Sequence, residues 1–291
     1  MIMKTIDGKI LAAKITEAVR TEMAVLQPKL GRAPKMDIIV VGEDPYSIKY
    51  VNSKKKKSEE VGIECDVHLL SATTKQEELL NLIDQLNQNN QVDAILVQLP
   101  LPEGFDEQQV LEAIDYRKDV DGLHPMNVGL MQRVEDPIIP CTSKGILSLL
   151  QEARVDIAGK HCVVVGRSSL VGYPTAQLML KMNATVTVCH SQTENLAQHT
   201  KEADILILAT GNPRLVTPDM MKPGVVVIDV AINFDNGKMV GDAYHPAYLD
   251  KLGKVVSAIT PVPGGVGPMT VVSLLQNCLD LYKKHHNLEI K

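Results

Sequence analysis

The stretch HCVVVGRSSLVGYPTAQLMLKM, residues 161–182, decides the fold class. Its Val-rich start runs apolar into Gly166-Arg-Ser-Ser, and the chain then resumes with apolar positions at helical spacing. An apolar run without polar alternation suits a strand covered on both faces, and a helical connection is what consecutive parallel strands require. The same rhythm recurs along the chain. Val- and Ile-rich runs stand at MDIIVV (36–41), IECDVHL (63–69), VDAILVQLP (92–100), ATVTVC (184–189), ADILILAT (203–210) and VVVIDV (225–230), with amphipathic segments between most of them. The pattern predicts an α/β protein with parallel sheets, built twice over.

Length and composition agree with two cores. The chain has 291 residues and 45% hydrophobic content, and domains average ~150 residues. A composition break falls near 119–142, where DVDGLHPMNVG (119–129) and VEDPIIPCT (134–142) gather Gly, Pro and Asp. The domain boundary is expected there. After the Gly/Pro-rich TPVPGGVGP, the segment MTVVSLLQNCLDLYKKHH (269–286) reads as one long helix.

Charge and special residues exclude several classes. Lys and Arg total 30 against 35 Asp and Glu, a net charge of -5, so no global positive field exists to hold nucleic acid. The five cysteines show no CxxC spacing and sit mostly in apolar runs, which suits free thiols in a reducing compartment. Eight histidines form no HxxxH or HExxH pair, so no metal is expected. No apolar run approaches the ~18 residues of a membrane span, and the N-terminal MIMKTIDGKILAAK is too charged for a signal peptide. The expected location is the cytoplasm.

The turn after HCVVV suits a dinucleotide, whose pyrophosphate lies against backbone N–H groups at a helix start. Gly166 and Gly172 are its glycines, and Ser168 stands where GxGxxG has its second one. A tight structural turn would read the same way. The next strand sharpens the choice. At its end an NAD-preferring site places Asp or Glu against the ribose 2′-hydroxyl, whereas here His190 and Ser191 follow Cys189. With Arg167 in the turn, a 2′-phosphate meets donors and positive charge instead of a carboxylate. The cofactor expected is NADP.

In KYVNSKKKKSEE (49–60) four lysines follow one another. On a helix counted from Tyr50, Lys54 and Lys57 share its side, while Lys55 and Lys56 point elsewhere. A solvated face balanced by Glu59 and Glu60 is the plain account. A lysine that moves protons instead needs a lowered pKa, and burial beside other cations lowers it. Two further features suit a small heterocycle: Gln98-Leu99-Pro-Leu-Pro102 at a strand end, and Asp119-Val-Asp121-Gly122 in the composition break. Asp121 could accept paired N–H bonds from a ring edge, or simply form the turn.

Taken together, Tyr50-Val-Asn-Ser-Lys54, Val97-Gln-Leu-Pro-Leu-Pro102, Lys118-Asp-Val-Asp-Gly122, Gly166-Arg-Ser-Ser-Leu-Val-Gly172 and Thr260-Pro-Val-Pro-Gly-Gly-Val-Gly-Pro-Met-Thr270 resemble one family over nearly the whole chain. It is the bifunctional methylenetetrahydrofolate dehydrogenase/methenyltetrahydrofolate cyclohydrolase family of folate one-carbon metabolism, which feeds purine biosynthesis. The resemblance implies Lys54 as the catalytic lysine, Gln98 tuning it, Tyr50 against the folate ring, and Asp121 on the pterin edge. It assigns Gly166, Arg167, Ser168, Ser191 and Ile232 to NADP, and Leu99, Pro263, Gly264 and Gly265 to the folate. Gly172 and His190 complete the cofactor set read from the turn and the following strand. It also implies a catalytic domain at 1–140, an NADP domain at 141–269, a helix at 270–291 that returns to the first domain, and a homodimer.

Three positions depart from the family pattern: Ser143 after Pro140-Cys-Thr, Ala231 for the glycine of DVGIN, and Ala243-Tyr244 after Gly241-Asp242. Ala231 requires a negative φ or a shifted loop. Two other readings compete. A short-chain-type dehydrogenase would use Tyr50 and Lys54 as its acid and helper, but that pair follows the dinucleotide turn in such enzymes and precedes it here. A non-enzymatic NADP sensor would use the lysine run as a docking patch.

Overall fold

The computed structural model describes residues 3–133 and 137–288, so residues 134–136 of the expected break lie outside the description. The chain runs β1 (Lys4–Thr5), α1 (Gly8–Leu30), β2 (Lys35–Val41), α2 (Pro45–Glu60), β3 (Glu64–Leu70), α3 (Gln76–Gln88), β4 (Ala94–Val97), α4 (Glu107–Ala113) and α5 (Pro125–Leu130). It continues through α6 (Cys141–Glu152), β5 (His161–Val165), α7 (Gly172–Lys181), β6 (Thr185–Cys189), α8 (Leu196–Thr200), β7 (Ile205–Leu208) and β8 (Val226–Asp229). Last come β9 (Asn233–Asp235), β10 (Lys238–Val240), α9 (Leu249–Val255), β11 (Ala258–Ile259) and α10 (Val266–His285). Every strand expected from the apolar runs is present. Two compact units result: Met1–Ala13 with Thr142–Thr270, and Lys14–Cys141 with Val271–Lys291.

The unit of Lys14–Cys141 carries a parallel sheet in the order β3-β2-β4. Successive side chains of β2 point to opposite faces, and both faces are covered. Met36, Ile38 and Val40 pack with Val19 and Met23 of α1, Val51 of α2, and Leu274, Leu275 and Cys278 of α10. Ile39 and Val41 pack on the other side with Leu79 and Ile83 of α3 and Val110 of α4. The closing helix therefore builds this core from Val271 onward. Tyr282, fully buried near its end, donates its hydroxyl to the Arg32 carbonyl at 2.7 Å.

The other unit holds six parallel strands in the order β1-β11-β8-β7-β5-β6, with β9 and β10 as a separate antiparallel hairpin. Its core includes Val163, Val165, Leu206, Leu208, Val227 and Ile259. Residues 1–13 were expected with the first domain; instead Lys4 N donates to Ser257 O and Ile6 N to Ile259 O, adding β1 to this sheet. A strand of two residues carries no alternation by which the sequence could announce it. All five cysteines are buried, and none is in a disulfide. No described helix is long and apolar enough to cross a membrane.

Candidate active site

Helix α2 begins where the turn chemistry places it. The Asp44 carboxylate accepts from Ser47 N at 2.7 Å, and Pro45 occupies the first turn, where its missing N–H costs nothing. From that start, Val51, Lys54 and Ser58 fall on the inner face. Lys54 is only 4% exposed. Its Nζ donates to Gln98 Oε1 at 3.0 Å and stands 4.6 Å from the centre of the Tyr50 ring.

Gln98 reaches the lysine because β4 ends at Val97 and the next residue stays in register. Its N donates to Ile39 O at 2.9 Å, and its Nε2 donates to Leu99 O at 2.6 Å, which leaves the amide oxygen for Lys54. The remaining lysines are a solvated face. Lys55 lies 3.7 Å from Glu59, Lys57 donates to Glu60 at 2.7 Å, and Lys56 is exposed. Helical spacing had left Lys57 beside Lys54 as a candidate, and its own ion pair turns it to water.

The turn at Asp119-Val-Asp121-Gly122 is made by the first aspartate. Buried Asp119 accepts from Gly122 N at 3.0 Å, His124 N at 2.8 Å and Asn127 Nδ2 at 2.9 Å. Burial pushes its carboxyl up, against those donors. Asp121 is left out of the turn, and no hydrogen bond reaches its half-buried carboxylate among the described residues. It stands near enough to Tyr50 to act on it: burial first, then the Asp121 charge and the Cys141 sulfur, push the Tyr50 hydroxyl up to about 12. Tyr50 as a whole keeps 37% exposure. Lys54, Gln98, Tyr50 and Asp121 thus form one constellation on one unit.

The second unit carries the dinucleotide turn. Gly166 has φ +121°, and a side chain there would overlap the Ala209 carbonyl at the end of β7; one at Gly172 would overlap the Gly166 carbonyl. Both positions need the absent β-carbon, and the bare backbone they leave fits a pyrophosphate. Ser168 Oγ accepts from Val171 N at 3.2 Å and Gly172 N at 3.4 Å, so this hydroxyl shapes the start of α7. Gly166 N donates to Cys189 O at 2.9 Å, which sets His190 and Ser191 beside the turn. The half-buried His190 accepts from Gln192 N through Nδ1 at 3.2 Å, while Arg167 and Ser191 are exposed. No carboxylate stands at the end of β6, and the residues present fit NADP.

Ile232 is 53% exposed after β8. Ala231 is absent from the positive-φ residues, so alanine replaces glycine there without backbone strain. Pro263, Gly264 and Gly265 lie on the loop before α10, where Gly264 O accepts from Gly8 N at 3.0 Å. The sequence reading missed Asp229. This fully buried carboxylate accepts from Asp242 N, Ala243 N and Tyr244 N at 2.9, 2.8 and 2.6 Å, and burial still pushes it up to about 6. Its only sequence signal is an aspartate closing the apolar run VVVID.

Two family models match: "Tetrahydrofolate dehydrogenase/cyclohydrolase, catalytic domain" over residues 6–121, and the NAD(P)-binding domain of the same family over residues 140–286. The chain is 48% identical to the bifunctional protein FolD of Acetivibrio thermocellus, covering 97% of this chain and 98% of that one. It is 50% identical to the same-named protein of Halalkalibacterium halodurans, covering 96% and 98%. Among solved structures, the FolD methylenetetrahydrofolate dehydrogenase/cyclohydrolase of Campylobacter jejuni superposes with TM-score 0.93 at 44% identity, covering 97% and 99%. The Trypanosoma brucei enzyme, complexed with NADP cofactor and inhibitor, gives 0.91 at 37% identity, covering 98% of each chain. With both models matched in order and such identity end to end, the chain belongs to the tetrahydrofolate dehydrogenase/cyclohydrolase family.

Proposed function

We propose that this protein oxidises 5,10-methylenetetrahydrofolate to 5,10-methenyltetrahydrofolate with NADP, and then hydrolyses the product to 10-formyltetrahydrofolate. One observation carries the reading: a lysine amine buried against a tyrosine ring and held by a neutral amide oxygen. In the first reaction the substrate's methylene carbon lies between two nitrogens, and either one stabilises the cation left when a hydrogen departs with its bonding electron pair, as hydride. NADP, when bound, supplies the acceptor for that pair. The protein's part is positioning: Tyr50 packs against the folate ring, Asp121 holds the pterin edge, and Leu99, Pro263, Gly264 and Gly265 are further folate contacts. On the cofactor side, Gly166 and Gly172 give the backbone approach and Ser168 shapes the turn, while Arg167, with His190 and Ser191, favours a 2′-phosphate. Ile232 is a further residue of the NADP site.

The methenyl product is an amidinium, which water attacks. A water proton leaves, a ring nitrogen gains a proton, and the C–N bond to that nitrogen breaks to give the formyl group. Lys54 Nζ moves those protons, and Gln98 Oε1 fixes where the nitrogen sits. A neutral amide holds the amine without pairing its charge, which a carboxylate at that point would do. The short-chain alternative requires a lysine that lowers the pKa of its tyrosine. Here Tyr50 is pushed up to about 12, and the Lys54 nitrogen lies over its ring and not at its hydroxyl.

The test is an absorbance assay with methylenetetrahydrofolate and either NADP or NAD, following the methenyl product as it forms and decays. Formation with NADP followed by enzyme-dependent decay supports both activities. Formation without catalysed decay removes the hydrolase, and equal or better efficiency with NAD removes the cofactor assignment. The family reading extends to a cytoplasmic homodimer, and sedimentation at working concentration checks the dimer.

A further inference from the structure

Asp121 has an unusual burden. Its carboxylate receives no hydrogen bond among the described residues, so its aim depends on how its backbone is held. The next carbonyl along, its own, accepts from Cys141 N at 3.2 Å. The preceding one, Val120 O, accepts from Asn277 Nδ2 at 2.9 Å, and the same nitrogen donates to Ile139 O at 2.9 Å. Asn277 lies on α10 and is fully buried. Its two amide protons therefore clamp together the two chain segments that run side by side at Asp121.

Those segments are in close contact. A β-carbon on Gly122 would stand 2.8 Å from the Ile139 carbonyl carbon, so there is no slack in which the 120–122 segment could settle elsewhere while keeping its neighbour. Cys141 adds a weak bond from Sγ to Val120 O at 3.4 Å and lies 3.5 Å from Asn277 Nδ2. Removing the amide leaves two carbonyls without that donor beside a fully buried side chain, where an unmet acceptor is costly and the backbone moves to find another.

We infer that Asn277 is a positioning residue for the folate site, fixing the backbone on either side of Asp121 so that its carboxylate faces the substrate. The inference rests on the folate role proposed for Asp121. A cavity of about 450 Å³ lined by Arg32, Arg117, Lys118 and His285 offers no comparable case. Those side chains already serve Asp93, Asp115 and the Leu86 and Asn89 carbonyls.

The experiment is a double-mutant cycle on the intact enzyme, Asn277→Leu with Asp121→Asn, reading KM for methylenetetrahydrofolate, KM for NADP and kcat. Asn277→Leu alone is expected to raise the folate KM about tenfold, with NADP KM unchanged, and to add less than about twofold once Asp121 is Asn. Equal rises in both backgrounds, or a parallel rise in NADP KM, would show only general damage and overturn the inference. An unchanged folate KM for Asn277→Leu overturns it as well. If Asp121→Asn alone leaves the folate KM unchanged, the folate role of Asp121 falls and this inference falls with it, an outcome distinct from additive losses. Should Asn277→Leu fail to melt cooperatively, Asn277→Ser keeps one hydroxyl donor. It is expected to give a smaller rise that again vanishes beside Asp121→Asn, and persistence of that rise counts against the inference.

Discussion

Replacing Lys54 with methionine separates chemistry from packing better than any other single change. Methionine keeps an unbranched stem of similar length on the inner face of α2, so the contacts around Val51 and Ser58 are retained. What goes is the amine, with its 3.0 Å bond to Gln98 and its place over the Tyr50 ring. The lost bond and the freed Gln98 oxygen cost about 1–3 kcal/mol, offset by no longer burying a polar amine at 4% exposure, so stability should move by less than about 2 kcal/mol. A proton-transfer group contributes ~10²–10⁴-fold to rate. Cyclohydrolase activity of Lys54→Met should therefore fall by about that factor, far more than unfolding of so small a magnitude could cause, while NADP still binds.

The control is Lys57→Met. That amine is 45% exposed on its side chain and pairs with Glu60, a surface ion pair worth about 0–1 kcal/mol, so activity should stay within about twofold. Decay of added methenyltetrahydrofolate, followed by absorbance beside a denaturant titration of each variant, measures both quantities. Equal losses from the two substitutions, or hydrolysis by Lys54→Met within about tenfold of the parent, would refute the assignment.

Gly166→Ala forces a β-carbon onto the Ala209 carbonyl at φ +121°, so it should cost about 2 kcal/mol or more of stability and weaken NADPH binding, read by denaturant titration and by cofactor fluorescence; unchanged affinity would show that the turn does not hold the cofactor. Arg167→Ala should raise the NADP KM about tenfold or more and leave the NAD KM unaltered, and an unaltered NADP/NAD ratio would remove Arg167 from the 2′-phosphate. Asp229, raised by burial to about 6 from an unfolded value near 3.9, favours folding most when protonated. Its contribution is full below about pH 4 and lost as pH rises through 6, up to about 3 kcal/mol. Relative to the parent, Asp229→Asn should therefore gain stability between pH 4 and 7, and a pH-independent difference would contradict the raised carboxyl.

The elements legible in the sequence were those whose environment repeats along the chain. β2, β5 and β7 lie between covering layers, so successive residues meet apolar surroundings and the run itself declares the strand. β1, β9, β10 and β11 have two or three residues each, too few for any period, and exist because a neighbouring edge accepts their hydrogen bonds. By contacts the N-terminal stretch through Ala13 groups with the other unit, although the family's catalytic-domain model already begins at residue 6. Start signals fared better than boundaries: Gly-Glu-Asp-Pro ahead of α2 fixes a helix start locally, whereas α10 begins at Val266, inside the Gly/Pro-rich stretch expected to precede it.

The site divides along the same line. Helical spacing narrowed four lysines to two, and no local property could go further, because Lys54 is distinguished by an oxygen 44 positions away at the end of β4. In Asp119-Val-Asp121-Gly122 either aspartate could have made the turn. Three donors converge on the first, and that frees the second for a ligand. The amide that secures Asp121 comes from 157 positions beyond Val120, on a helix that reads in sequence as nothing but amphipathic. Chemistry that one turn of backbone can arrange, such as the glycine approach at Gly166, leaves a local signature, while chemistry assembled from separate elements does so only through the fold. Asn277 belongs wholly to the second kind: an asparagine within an apolar helix lowers intrinsic helix preference and burial cost opposes it, so its presence is explained by the two carbonyls it joins.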